Sequence, residues 1–170
     1  MVTKSNLLKQ FRIVLCKTSH AGNIGSVARA MKTMGFSDLY LVNPKDFPSD
    51  HANALSCGAE DILRKANVVS SLGAALKDIN HVIGFTARKR ELTQPHKNVR
   101  ELSEQLINEA SDNRIAIIFG NETNGLSNLE LQQCQTLGFI DANIKYSSLN
   151  LAHSVQIVCH EIRMMSNLPF

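Results

Sequence analysis

The sequence predicts an α/β fold built on a mostly parallel sheet flanked by helices, and three observations carry that expectation. Short apolar runs, namely Phe11 to Cys16, Leu39 to Val42, His81 to Phe85 and Ile115-Ala116-Ile117-Ile118-Phe119, lack the strict alternation of a half-wet strand and suit strands covered on both faces. Between them, longer stretches repeat apolar residues at helical spacing, and strands alternating with helices favour parallel pairing. Several of the apolar runs also stop in loops dense in Gly, Asn and Ser, the place where an open α/β sheet binds its ligands.

The 170 residues predict a single domain, residues 1 to 170. With 44% apolar residues, 5% aromatic residues and no Trp, its core is expected to be mostly aliphatic. The net charge of +3 is unevenly spread. Arg88, Lys89, Arg90, Lys97 and Arg100 face a single nearby acid, Glu91, so the basic character is one patch. Cys16, Cys57, Cys134 and Cys159 stand far apart with no metal-ligand spacing, so reduced structural thiols are expected and no metal site. Neither an apolar leader nor a run of membrane-spanning length occurs, which makes a cytoplasmic protein the expectation.

Taken in order, residues 1 to 10 are expected to be a loose polar lead-in to a strand over Phe11 to Cys16. Ile24, Val27, Ala28, Met31 and Met34 then trace a helix stopped by Gly35, with Asn23 as its cap and Gly25 as a point of close packing. Leu39 to Val42 completes a βαβ unit. A short helix follows over Asp50 to Cys57, a brief strand around Asn67 to Val69, and a helical stripe through Leu72, Ala75, Leu76 and Ile79. After the strand His81 to Phe85 comes the basic segment, read as a loop, and an amphipathic helix over Val99 to Ala110 leads into the strand after Arg114. A helix over Asn128 to Cys134, a strand over Leu137 to Ile140 and a polar loop over Asp141 to Ser147 precede a final helix capped by Ser148 or Asn150. That helix carries the stripe Leu151, Val155, Val158, Ile162 and Met165, with Leu149, Ile157 and Met164 off it, so burial on two sides is expected. The sheet would cover one side and a second subunit the other. His153 and His160, seven apart on one face, are expected to be buried or interfacial rather than catalytic.

Three polar loops define the candidate site: Thr18 to Asn23, Phe119 to Ser127 and Asp141 to Asn150. Gly22-Asn23-Ile24-Gly25 lacks the spacing of a dinucleotide or nucleotide-triphosphate loop. Together the loops and the helix after the first supply Asn23, Arg29, Asn121, Glu122, Ser147, Ser148 and Asn150.

Asn23-Ile24-Gly25-Ser26-Val27-Ala28-Arg29, Phe119-Gly120-Asn121-Glu122 with Gly125-Leu126-Ser127, and Tyr146-Ser147-Ser148-Leu149-Asn150-Leu151-Ala152 resemble the three motifs of the SPOUT superfamily of RNA 2′-O-ribose methyltransferases. The resemblance runs from about Phe11 to Met165. Thr18-Ser19-His20, Ala30 to Gly35, Leu41-Val42-Asn43-Pro44 and Tyr146-Ser147-Ser148 are most similar to the branch that methylates the ribose at nucleotide 32 of tRNA. It implies a fold that pattern reading does not suggest, a SPOUT fold with a C-terminal deep trefoil knot, and a homodimer. It also implies S-adenosylmethionine bound by Thr86, Ala87, Gly120, Glu122, Ile140, Ser148 and Leu149, with Gly120 letting the backbone approach the adenosine. Arg29 takes the catalytic position. Because a guanidinium is a poor base, it is expected to clamp a phosphate and stabilise a developing alkoxide, facing Glu122 and oriented by Asn23, Glu122, Ser148 and Asn150. Arg88, Lys89, Arg90, Lys97 and Arg100 would bind RNA phosphates.

Members of that branch continue into a helical C-terminal extension, whereas this sequence stops at Leu168-Pro169-Phe170, as an excised catalytic part or a small relative. Another tRNA nucleotide, rRNA, or an RNA-gripping module without methyl transfer stand as alternatives. A flavodoxin-like regulator would need an acidic cluster or flavin phosphate loop, and Lys17-Thr18-Ser19-His20 offers neither.

Overall fold

The computed structural model describes residues 4–87 and 94–169. Its seven strands are β1 (Phe11–Cys16), β2 (Asp38–Val42), β3 (Asn67–Val69), β4 (His81–Phe85), β5 (His96–Asn98), β6 (Ile115–Phe119) and β7 (Thr136–Phe139). They form one sheet in the order β3-β2-β1-β6-β4-β7-β5, with every pairing parallel. The helices are α1 (Ala21–Met34), α2 (Asp50–Ser56), α3 (Glu60–Lys65), α4 (Leu72–Ala75), α5 (Val99–Glu109), α6 (Asn128–Leu131) and α7 (Leu151–Ser166). An α/β architecture on a parallel sheet is thus as expected.

Every residue of β1 and β6 is buried, because helices cover both faces. Side chains alternate between two separate cores. Ile13, Leu15, Leu39, Leu41, Ile83, Ile115 and Ile117 pack under α1, α5 and α7, while Val14, Cys16, Val42, Val82, Ala116 and Ile118 meet Leu72, Leu126, Leu131 and Cys134 on the other face. The two faces are covered unequally, by long helices on the first and by the single turns α4 and α6 on the second.

Register makes the strand ends coincide. Leu15 lies beside Phe119, and Phe119 beside Phe85, so the loops after β1, β6 and β4 leave the sheet at one level. Those loops build the site.

Several local expectations change. Residues Lys4–Gln10 form a 3-10 helix that buries Leu8 rather than a loose lead-in. α1 begins at Ala21 with His20 in the N-cap position and no side-chain cap, so Asn23 lies inside the first turn and its carboxamide is free for other partners. The stripe from Leu72 to Ile79 yields only one helical turn, since Leu76 already leaves helical geometry. The helix expected from Asn128 to Cys134 likewise stops at Leu131. β5 lies where a basic loop is expected; its three residues His-Lys-Asn carry no apolar signal, and β7 alone recruits it to the edge. α7 does bury Leu151, Val155, Val158 and Ile162, but it packs on both α1 and α5 within the chain, leaving Ile157, Met164 and Met165 half-buried. His153 and His160 are exposed in the chain.

Gly25 behaves as expected. A Cβ on it would sit 2.0 Å from the Ala52 carbonyl oxygen, so α1 and α2 cross at backbone contact. Cys16, Cys134 and Cys159 are buried, burial pushing the first two thiols up to about 12, whereas Cys57 is exposed. No helix among the described residues is long and apolar enough to cross a membrane. Gly25→Ala must separate α1 from α2, at a cost of about 3 kcal/mol; thermal unfolding should show Tm falling by roughly 6–12 °C, and an unchanged Tm would contradict the contact.

Candidate active site

The site begins with a carboxylate. Glu122, just beyond β6, lies over the loop that leaves β1, where Ser19 donates to its Oε2 from both the backbone N–H (2.9 Å) and the hydroxyl (2.8 Å). The His20 N–H (3.1 Å) and the Asn23 Nδ2 (3.0 Å) donate to Oε1. Burial raises the pKa of Glu122, but the bonds from the Ser19 N–H, the Asn23 carboxamide and the Ser19 hydroxyl outweigh it and bring the value down to about 2. Glu122 is therefore an ionised anchor and a poor proton acceptor.

The network continues to α7. With Nδ2 committed to Glu122, Asn23 turns its Oδ1 outward and accepts from Asn150 Nδ2 (3.1 Å). Asn150 is the N-cap of α7, and its Oδ1 accepts from the N–H groups of Ala152 (2.8 Å) and His153 (3.4 Å). One carboxylate and two carboxamides thus join three loops, each amide held in one orientation by the partner on either side.

Asn121 locks the second loop. Its Nδ2 donates to the Lys17 carbonyl (2.7 Å), while its Oδ1 accepts from the Thr123 N–H (2.9 Å). Gly125 donates its N–H back to the Asn121 carbonyl and sits at φ 67°, which a glycine tolerates. Gly120 meets a requirement within the loop as well. A Cβ there would lie 2.0 Å from the Gly125 carbonyl carbon, so the glycine lets the loop close on itself.

Beside this network an open cleft of about 810 Å³, counting its mouth, runs between the loops that follow β4, β6 and β7. Thr86, Ala87, Gly120, Glu122, Ile140, Ser148 and Leu149 all line it. Phe85 and Phe119, stacked at 5.5 Å, also line it. Apolar rings and aliphatic side chains beside exposed main chain and hydroxyls fit a ligand with a flat heterocycle and polar substituents, as S-adenosylmethionine has.

The expected catalytic residues do not all meet. Asn23, Glu122 and Asn150 form the network and Ser148 lies on the cleft wall. Arg29 does not face Glu122. It is six residues after Asn23, about 9 Å further along the helix and about 120° round it, exposed and without a hydrogen bond or ion pair among the described residues. Of the basic set, Arg88, Lys89 and Arg90 lie outside the described residues. Lys97 is half-buried and donates to Gln105, and Arg100 is exposed and pairs with Glu161. Sequence reasoning passed over Ser19. The available signal was a hydroxyl residue in the loop directly after a buried strand.

The chain belongs to the SpoU rRNA methylase family, whose model matches residues 10–160. It is 50% identical over 158 residues to the tRNA (cytidine/uridine-2′-O-)-methyltransferase TrmJ of Photorhabdus laumondii subsp. laumondii, covering 93% of this chain and 66% of that protein. A probable methylase family protein from Haemophilus influenzae Rd KW20 superposes with a TM-score of 0.88 at 49% identity, covering 94% of this chain and 67% of that one. A probable methyltransferase from Bordetella pertussis Tohama I gives 0.89 at 35% identity, covering 95% and 99%. The chain spans just under two thirds of the length of the curated relatives it matches.

Since the folded pKa of Glu122 lies below that of an unfolded glutamate, its ionisation stabilises the native state above about pH 4.5 and loses that effect as pH falls toward 2. Removing one donor in Ser19→Ala should raise the Glu122 titration midpoint, followed by carboxyl ¹³C NMR. An unmoved midpoint would remove the hydroxyl from the account.

Proposed function

We propose that this chain is the catalytic part of an S-adenosylmethionine-dependent methyltransferase that modifies a ribose 2′-hydroxyl of tRNA, at nucleotide 32 of the anticodon loop. The observation that carries this reading is a cleft lined by the loops after β4, β6 and β7, with the Glu122–Asn23–Asn150 chain beside it bringing in the first motif. The similarity to tRNA 2′-O-methyltransferases supports the substrate class. A cytoplasmic location follows from that substrate, and the chain is inferred to carry the deep trefoil knot of the SPOUT fold in its C-terminal part.

S-adenosylmethionine, when bound, supplies an electrophilic methyl group on a sulfonium. The chain's residues do the rest. Thr86, Ala87, Gly120, Ile140 and Leu149 would enclose the cofactor. Asn23, whose carboxamide is pinned by Glu122, Asn150 and the Ser148 hydroxyl are placed to orient the acceptor ribose. With a pKa of about 2, Glu122 holds this arrangement and leaves the hydroxyl proton to another group or to solvent. Arg29 clamps the adjoining phosphate and stabilises negative charge on the acceptor oxygen. Arg88, Lys89 and Arg90 add phosphate contacts.

Within one chain Arg29 points away from Glu122, so we infer a homodimer in which each copy lends Arg29 to the other's cleft. The half-buried Ile157, Met164 and Met165 of α7 supply apolar surface for such a contact.

Calorimetric titration should show S-adenosylmethionine binding, and tritiated methyl groups should pass to bulk tRNA; absence of binding would end the enzyme reading. Arg29→Lys keeps the charge but loses the fork, and turnover should fall about tenfold or more; unchanged turnover would end the clamp. Mixing Arg29→Ala with Glu122→Gln chains should restore activity that neither has alone. Without recovery, both groups act within one chain.

A further inference from the structure

The loop between β7 and α7 carries an aromatic ring that neither the cleft nor the core explains. Tyr146 is 82% exposed, and among the described residues no other Phe or Tyr is more than about a third exposed. It stands one residue before the cleft wall, which Ser147, Ser148 and Leu149 continue. The backbone under it is shaped by a turn. The Tyr146 N–H donates to the Asn143 carbonyl (2.9 Å) and the Lys145 N–H to the Asn143 Oδ1 (3.0 Å). Downstream, the loop is tied to α7 by the Asn150 cap. The ring is thus carried on a local turn whose downstream end is anchored to α7.

A lone exposed apolar residue needs no explanation. Here three fall within six residues of one loop that runs into the cleft wall, Ile144 (91%), Tyr146 and Leu149, with the exposed cation Lys145 among them. An aromatic ring beside an ammonium suits a single-stranded nucleic acid, whose bases stack on rings and whose phosphates seek cations. A peptide would gain less, since this loop offers no free strand edge and no groove of its own.

We propose that Tyr146 is the platform on which a base of the RNA substrate stacks while the ribose is presented to the cleft, with Lys145 at the flanking phosphate. This rests on the function proposed above and adds the element that grips the base. Stacking accepts any base, so Tyr146 governs how firmly the unpaired loop is held more than which base it contains.

The composition provides a direct probe, because the chain has two tyrosines and no Trp. Tyr40 lies under the Arg12 guanidinium, 3.9 Å from its ring centre, away from the cleft. Protein grown on 3-fluorotyrosine should give two ¹⁹F resonances, assigned with Tyr40→Phe. Adding tRNA should shift the Tyr146 resonance in step with binding and leave that of Tyr40 in place. Tyr146→Ala should weaken tRNA binding about tenfold or more, with S-adenosylmethionine affinity within about twofold of the parent, whereas Tyr146→Phe keeps the ring and should bind normally. A silent Tyr146 resonance at saturating tRNA would overturn the proposal, as would unchanged binding by Tyr146→Ala. A Tyr146 resonance that moves with protein concentration alone would mean a second copy covers the ring, and would overturn it too. If Tyr146 responds to tRNA but no methyl group is transferred, the platform stands and the enzymatic reading falls. If methyl transfer proceeds while Tyr146 stays silent, the platform alone falls.

Discussion

One half-buried carboxylate holds the site together. Glu122 comes from the loop after β6 and its donors from the loop after β1, about a hundred residues away in sequence. Neither loop belongs to a helix or a strand, and four donors from the β1 side converging on the two oxygens of Glu122 set their relative position. The cost of removing the charge from water is met because the donors are charge-assisted and come partly from rigid backbone. From that point the order spreads outward, through Asn23 to Asn150 and into the first turn of α7.

The sheet supplies what the carboxylate needs. Parallel register brings Leu15, Phe119 and Phe85 to the same level, so three chain segments emerge side by side. The closure of Gly120 against Gly125 and Leu126 keeps the second loop compact, and the Asn121 carboxamide ties it to Lys17. Both pieces of local geometry serve the same end, a Glu122 side chain that has little freedom left to lose when a ligand arrives.

The buried strands were readable from sequence because continuous apolar runs have few other uses; β1, β4 and β6 fall where the pattern places them. The residues that converge on the cleft were also readable, through the motif resemblance. What pattern could not show was set by contacts distant in sequence. β5 has no apolar residue and exists only because β7 offers a free edge. Asn23 looked like a helix cap because the sequence does not reveal that Glu122 competes for its carboxamide. Gly120 is also required by a contact the pattern does not show, since its missing Cβ makes room for the backbone five residues on. Arg29 and Glu122, grouped by motif, are separated by the pitch of α1 itself.

Asn150 has a further consequence. Serine, threonine or aspartate would cap α7 about as well, since each offers an oxygen to the first-turn N–H groups. Aspartate at neutral pH has no hydrogen to give Asn23, and serine or threonine would have to donate its single hydroxyl hydrogen from the same atom that caps the helix. A carboxamide accepts at one atom and donates from another, so it serves both ends at once. Aspartate, an ordinary exchange at a helix start, would therefore keep the cap of α7 and lose its link to Asn23, and the stability of α7 cannot be tuned by that exchange without disturbing the loops it joins.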